Sequence, residues 1–409
     1  MRQRIATPPN STYGDTQYLR LRLSFQTYFY PYLAWYENEG AISCTLSPRH
    51  FQKKPVWLSI LKGMNRASSV CSLMFIALGL MFPCCTSPKS SQNKLQEKKY
   101  SLELRELLRI GTDDLSQDQY VFSAINDIQF DVLNNLYVLD RKELRIQVFS
   151  STGIYIRSIA LERGQGPGQF LRALLFDVDE KGNIYISDDF LRRITALSPN
   201  GNLLGTMSLR SRPGSIVAGR NGTIFVGNIE ATTDSYEIYG YHFPDGRLLS
   251  RFCRASKETR LMKKVGGAGQ ICMSPDGHIC YASDLPNDIR LFTQDGRLEV
   301  AFSRPIRSYS PPTINEMGLP HVFVSTKSIS VFPDGKILHT VLDTTTKPAI
   351  SYFDIFDQNG KLMLSFDTNQ YSLDWEGRIA KIDREGDLYT ESWRPFPQIK
   401  KYEIKIVER

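Results

Sequence analysis

The chain has 409 residues, a formal net charge of +7, and 41% hydrophobic against 23% charged side chains. That composition excludes a disordered chain, and so small a charge, spread through turns and strand ends, excludes a dedicated nucleic-acid binder, which needs a concentrated basic patch. The basic pairs Arg192-Arg193 and Lys263-Lys264 read as solvated faces.

Residues 1–63 show neither helical nor strand periodicity, even around the aromatic run Tyr28, Phe29, Tyr30, Pro31 and Tyr32. The expectation is that the true start is Met64 and that 1–63 come from an over-long gene reading. Residues 70–83 are the only long apolar run, shorter than the roughly 20 residues a membrane-spanning helix needs. Met64, Asn65 and Arg66 precede it and Cys84 and Cys85 follow it. A positive n-region, an apolar h-region and a cysteine have the layout of a secretory signal peptide over 64–85, with an uncleaved anchor as the alternative. The cysteine and the polar stretch 86–99 after it resemble a bacterial lipoprotein processing site. That implies acylation of Cys85, which follows a small residue, or of Cys84, and a polar tether to the folded domain. Only Cys253, Cys272 and Cys280 remain beyond it. Their odd number is no disulfide framework, and packed thiols are expected.

Residues 100–110 alternate in part and are read as a strand, with a helix as the alternative. From residue 126 the chain repeats. Six first turns (Asn134-Asn135, Gly182, Asn221-Gly222, Gly277, Gly335 and Gly386) alternate with five second turns (Gly153, Gly201, Gly246, Gly296 and Gly360). Turns that match strand twist need positive φ, hence Gly, Asn and Asp there. Two hairpin turns per unit mean four strands per unit, and recurring four-stranded units read as propeller blades. The sixth unit is one strand short. The segment 100–110 is therefore expected to close the ring as the outer strand of the last blade, making an all-β, six-bladed β-propeller over 100–409.

Residues 177–188 followed by Arg193 and Ile194, and 136–140 followed by 144–149, resemble the NHL repeat. Between them, 163–170 (RGQGPGQF) is similar to that family's glycine-rich link between blades. A strand rather than a helix follows it, and no Lys-Ser/Thr pair closes it, which excludes a phosphate loop. The stretch 100–409 also resembles the six-bladed propeller lipoproteins of Bacteroidetes envelopes. The resemblance implies a fold far more than an activity.

Candidate site residues fall into three groups. Asp140, Asp188 and Asp284, with Asn228 at the same place, end the second strands of blades and would ring one face with carboxylates suited to a cation. The bland alternative is that they accept backbone N–H groups and set the turns. Asp188-Asp189 is the best acidic pair. His242, His278, His321 and His339 do not recur at one blade position, so no zinc set is predicted from spacing. No Gly-x-Ser-x-Gly elbow occurs. The third group sits on long loops: 304–312, 343–348 and 393–396. There Tyr309, Trp393 and Phe396 would give apolar contact, and Arg304, Arg307 and Arg394 would meet anionic groups.

The expected function is a monomeric cell-envelope lipoprotein, membrane-tethered by lipid, whose propeller binds a protein or a small polar ligand without a cofactor. No acidic cluster follows the anchor, which favours an outer-membrane position facing the periplasm. The alternative is a metal-dependent lyase or hydrolase of the NHL-like kind, using calcium or zinc. A sensor or accessory subunit is the third reading.

Overall fold

The computed structural model describes residues 100–228, 236–263, 269–285, 287–304, 313–314, 320–321, 324–371, 373, 375 and 379–409. The expectations for residues 1–99, including Cys84 and Cys85, lie outside the described residues. So do Arg307 and Tyr309.

Each repeat folds as one antiparallel four-stranded blade, and six blades form a β-propeller. Blade one runs through Ile125–Phe130, Leu136–Asp140, Arg145–Phe149 and Tyr155–Ala160. Blade two has Ala173–Val178, Ile184–Asp188, Arg193–Leu197 and Leu203–Ser208. Blade three has Pro213–Ala218, Thr223–Asn228, Tyr236–His242 and Arg247–Arg254, and blade four Gln270–Met273, Ile279–Ala282, Asp288–Phe292 and Leu298–Ser303. Blade five has Val324–Val331, Ile337–Asp343, Ile350–Phe356 and Leu362–Asp367. Blade six combines Ala380–Ile382, Leu388–Ser392 and Gln398–Glu408 with the N-terminal strand Tyr100–Ile110. The ring is thus closed by the segment that its partial alternation marked as a strand. Tyr100 pairs with Glu408 and Ile110 with Ile399, with one register shift between Glu106 and Leu108.

All eleven turns read from the sequence contain a residue with positive φ. In the first turn of blade one that residue is Asn134 (φ 61), and its amide also donates to Asp383 of blade six at 3.0 Å. The turns begin on a device the glycine pattern did not reveal. Asp131, Asp179 and Asp383 each accept two backbone N–H groups within their own turn through one carboxylate oxygen. These bonds hold the turn closed locally, before any partner blade is present.

Second strands are the most buried, all five residues in Leu136–Asp140, Ile184–Asp188 and Leu388–Ser392, because strands flank them and blades cover both faces. Fourth strands alternate with water, as in Tyr155–Ala160. Apolar clusters lie between blades, for example Ile146, Val148, Phe170, Phe176, Ile184 and Ile186 between blades one and two. Each such side chain contributes roughly 1.5–3 kcal/mol on burial.

Innermost strands have no strand on their channel side, so side chains cross to the next blade and satisfy its backbone. Gln129 donates to Phe176 O at 2.7 Å, Asn126 donates to Leu174 O, and Asp127 accepts Phe176 N–H at 3.1 Å. Asp177 accepts Ala218 N–H at 2.7 Å. Ser328 donates to Ala380 O at 2.8 Å and Ser330 accepts Ile382 N–H at 2.9 Å. The last blade meets the first through Lys381, whose ammonium lies 2.8 Å from both Asp127 and Ile128 O.

This wall has a titration consequence. Burial pushes the Asp177 carboxyl up to about 6, against the pull of the Ala218 N–H and the Lys381 ammonium. Unfolded, the group titrates near its ordinary 3.8. The folded form therefore holds the proton more tightly between those values, and stability is lost as pH rises from about 4 to 6, by roughly 1–3 kcal/mol. Asp177→Asn keeps the acceptor for Ala218. It is expected to melt level with the parent at pH 4 and higher at pH 7.5; parallel melting curves at both pH values would rule out the desolvation account.

Candidate functional site

Strand direction sorts the connections onto two faces. The eleven tight turns all lie on one, the turn face. The other, the loop face, carries the ends of second strands and the starts of third strands, with the links 161–172 and 209–212 and the loops 141–144, 189–192, 344–349 and 393–397. Chain length with freedom to vary is therefore gathered on one side of a rigid ring.

Asp140, Asp188, Asn228 and Asp284 all end second strands on the loop face, as the spacing implied. Asp140 accepts the N–H groups of Ser123 and Ala124 at 2.8 and 2.9 Å. Asp188 accepts four, from Leu171, Arg172, Phe190 and Leu191, at 2.7–3.0 Å. Each carboxylate clamps the entering link onto its own blade. These two are structural acceptors and do not form the cation ring considered from the sequence; Asp284 is buried in blade four. Asp189 is likewise committed, taking the Arg172 guanidinium on both oxygens, with Nε at 2.6 Å. Replacing Asp188 by Ala strands four backbone donors, and a stability loss of about 2–4 kcal/mol is expected in urea titration. A loss under 0.5 kcal/mol would contradict the clamp.

The histidines do not converge. His242 (3.0 Å from Asp245) and His278 lie at the turn face. His278 bridges Asp276 at 2.9 Å and Glu299 at 2.7 Å, and its pKa is raised, chiefly by Asp276. The His321 side chain lies outside what the structure describes. His339 is fully buried in blade five.

His339 belongs to a polar row that sequence spacing gave no sign of. It faces Asp354 across the strand pair, and Asp354 faces Ser365. Thr326 of the first strand lies 3.0 Å from His339 Nε2 and donates its own proton to Ser283 O at 2.8 Å. With the hydroxyl proton on Ser283 O, Nε2 carries the ring proton and donates to Thr326 Oγ1. Nδ1 is buried without a partner, and so is the Asn287 amide nitrogen beside Thr326. Burial holds the imidazole down to about 4, so it is neutral at neutral pH.

Arg304 requires a correction. The loop reading gave it to an anionic ligand, but its guanidinium pairs with the buried Asp354 and lies over the Tyr352 ring, 5.6 Å from the centroid. A buried carboxylate demands a counter-charge, and Arg304 supplies it from the link between blades four and five. Trp393, Arg394 and Phe396 sit on the loop face in the second-to-third-strand loop of blade six. Arg394 is exposed and the two aromatic residues are half-buried. Ser392 and Gln398 donate to Arg394 O at 3.2 and 2.8 Å, which fixes this loop on the ring.

Among the described residues one group of three carboxylates could hold a metal ion: Asp383, Glu385 and Asp387 in the first turn of blade six. The Lys401 ammonium already stands among them at 3.1, 3.4 and 3.0 Å. Cys272 and Cys280 face each other across one strand pair as free thiols, as expected. A groove of about 610 Å³ opens at the turn face between blades three and four, over Arg220, Phe225, Leu249 and His278. Its polar groups are largely spent on one another, Gln294 bonding Arg220 N–H and Gly277 O.

A family model described as a 6-bladed beta-propeller (DUF5128) matches residues 114–242, which cover blades one and two and three strands of blade three. Among solved structures, the chain is similar to the BF0058 protein of Bacteroides fragilis NCTC 9343, at 13% identity and a TM-score of 0.55 over 74% of this chain and 95% of that one. It is also similar to a member of the duf4221 family from Bacteroides vulgatus, at 9% identity and a TM-score of 0.55 over 76% and 100%. Virginiamycin B lyase from Staphylococcus aureus matches at 13% identity with a TM-score of 0.44, over 74% and 99%. No curated protein matches the chain. At these identities the likeness is one of fold.

Proposed function

We propose that this chain is a cell-envelope lipoprotein whose propeller is a binding scaffold, engaging a protein or a small polar ligand through the loop face. The observation that carries the reading is the asymmetry of the ring. One face consists of short turns locked by their own side chains. The other carries the longer link 161–172 and holds Trp393, Arg394 and Phe396. Aromatic and arginine side chains on rigidly held loops are the residues that dominate binding energy at interfaces. Against the alternative of a metal-dependent lyase, Asp140 and Asp188 are filled by backbone donors, and Asp383, Glu385 and Asp387 surround an ammonium. The envelope assignment rests on the signal-like segment 64–85 with Cys84 and Cys85.

Two measurements test the reading. Labelled fatty acid should enter the native protein and be lost from the double variant Cys84→Ser/Cys85→Ser; unchanged incorporation would sink the lipid anchor. A melting-temperature screen against envelope peptides and glycans should give a stabilising ligand whose shift disappears in Trp393→Ala/Arg394→Ala. A ligand shift that survives in that variant would place binding elsewhere.

A further inference from the structure

The two faces also differ in the apolar surface they leave in water. Fourteen large apolar side chains are exposed among the described residues, and eleven of them lie toward the turn face. Leu133 is 77% exposed, Ile154 65%, Leu204 49% and Leu298 50%. Single exposed leucines need no explanation. Leu133 apart, they recur at one blade position, in the first residues after the second turn of blades one to four, and so form a belt along the outer edge of four of the six blades. Charges of both signs stand beside them: Arg247 and Arg297 follow the turn glycines of blades three and four, and Asp245 and Asp295 precede them.

A second observation concerns where the chain enters. Tyr100 pairs with Glu408 and Ile110 with Ile399, and Ile399 lies just after the loop-face segment 393–397. The closing strand therefore starts at the turn face and runs to the loop face. Tyr100 thus lies at the turn face of blade six, next to blade one, where the belt begins. Residues 86–99, fully extended, would reach at most about 50 Å.

We infer that the turn-face belt is a membrane-docking surface, lying on the bilayer that holds the anchor with its leucines and isoleucines at the head-group boundary. This rests on the lipid-anchor reading for how the protein reaches the membrane; the belt itself belongs to the folded ring. A neutral belt docks by apolar insertion, so its affinity does not depend on anionic lipid. The loop face then points away from the bilayer, into the space where a partner is met.

The unit Asn93–Arg409 contains the whole closed ring and is compact by itself, so it can be tested without the anchor. In co-sedimentation with phosphatidylethanolamine–phosphatidylglycerol vesicles it should partition measurably, and equally at low and high phosphatidylglycerol. Ile154→Ser/Leu204→Ser/Leu298→Ser should lower partitioning at least tenfold with an unchanged melting curve, while Phe190→Ser on the loop face leaves it unaltered. No partitioning of the parent, or equal partitioning of the triple variant, overturns the proposal. In the anchored full chain on vesicles, a fluorophore at Ile154→Cys should be quenched several-fold more by lipid-borne nitroxide than one at Phe190→Cys, and equal quenching also overturns it. A full chain that carries no acyl group by mass would sink the anchor reading alone, and the unanchored unit would still decide the belt.

Discussion

A chain that begins at Gly111, without the strand Tyr100–Ile110, is expected to lose the cooperative fold. That strand is the fourth of blade six and pairs along its length with Gln398–Glu408. Leu102 and Ile110 are buried, and Leu102 and Leu104 pack with Tyr402, Ile404, Ile406 and Leu364 between blades five and six. Its charges matter little, since the Arg105–Glu403 pair at 2.9 Å is exposed and screened by solvent. Removing the apolar contacts at roughly 1.5–3 kcal/mol each, together with the ladder, costs on the order of a domain's whole stability of about 5–15 kcal/mol. It also exposes a long strand edge that invites aggregation. The truncated chain should elute as aggregate and show no cooperative melt, and a synthetic peptide of residues 100–110 should restore one. A monomeric truncated chain with the parent's melting temperature would show that the ring closes without this strand.

Lys401→Met should cost about 3–5 kcal/mol near pH 7.5, the scale of removing one partner from a buried ion cluster. The Lys401 side chain is 6% exposed and reaches Asp383, which is fully buried, with Glu385 and Asp387 around it. Burial opposes the charge, yet Asp387 and Asp383 hold the ammonium's pKa above the ordinary lysine value, and the ammonium lies 5.4 Å from the Tyr389 ring centroid. Methionine keeps the apolar stem and removes the charge. Three carboxylates within 4.8 Å of one another would then repel, and burial already raises the Asp387 pKa. The folded variant would bind protons that the unfolded chain does not, so its deficit should shrink as pH falls from 7.5 toward 5. Millimolar calcium should restore the variant and leave the parent unchanged, because only the variant has the carboxylates free for a cation. Equal stability of the two proteins, or the same calcium shift in both, would contradict the ammonium's role.

Much of the fold was legible because a propeller writes each blade locally. Positive φ at Asn134, Gly153 and the other nine turns is a property of four or five successive residues. The closing strand was legible by subtraction, since blade six lacked a strand and Tyr100–Ile110 was unassigned. What stayed hidden depends on which blades become neighbours. Nothing in the spacing of Asn287, Arg304, Thr326, His339 and Asp354 announces a shared layer between blades four and five. Lys401 and Asp383 likewise meet only when the second and third strands of blade six pair. Arg304 looked like a ligand residue because it opens a long loop, and its real partner, Asp354, is fifty residues away. The aspartates at the ends of second strands were recognised as a recurring position, and their hydrogen bonds decided between the two roles open to them.

The loop face as the binding face is tested most directly by site-specific photo-crosslinking in cells that express the full chain. A photoreactive residue at Arg394 or Phe396 should yield a discrete protein or glycan adduct, and one at Leu249 or Asp295 on the turn face should yield none. Adducts from the turn-face positions, with none from 394 or 396, would show that the ring binds through the opposite side.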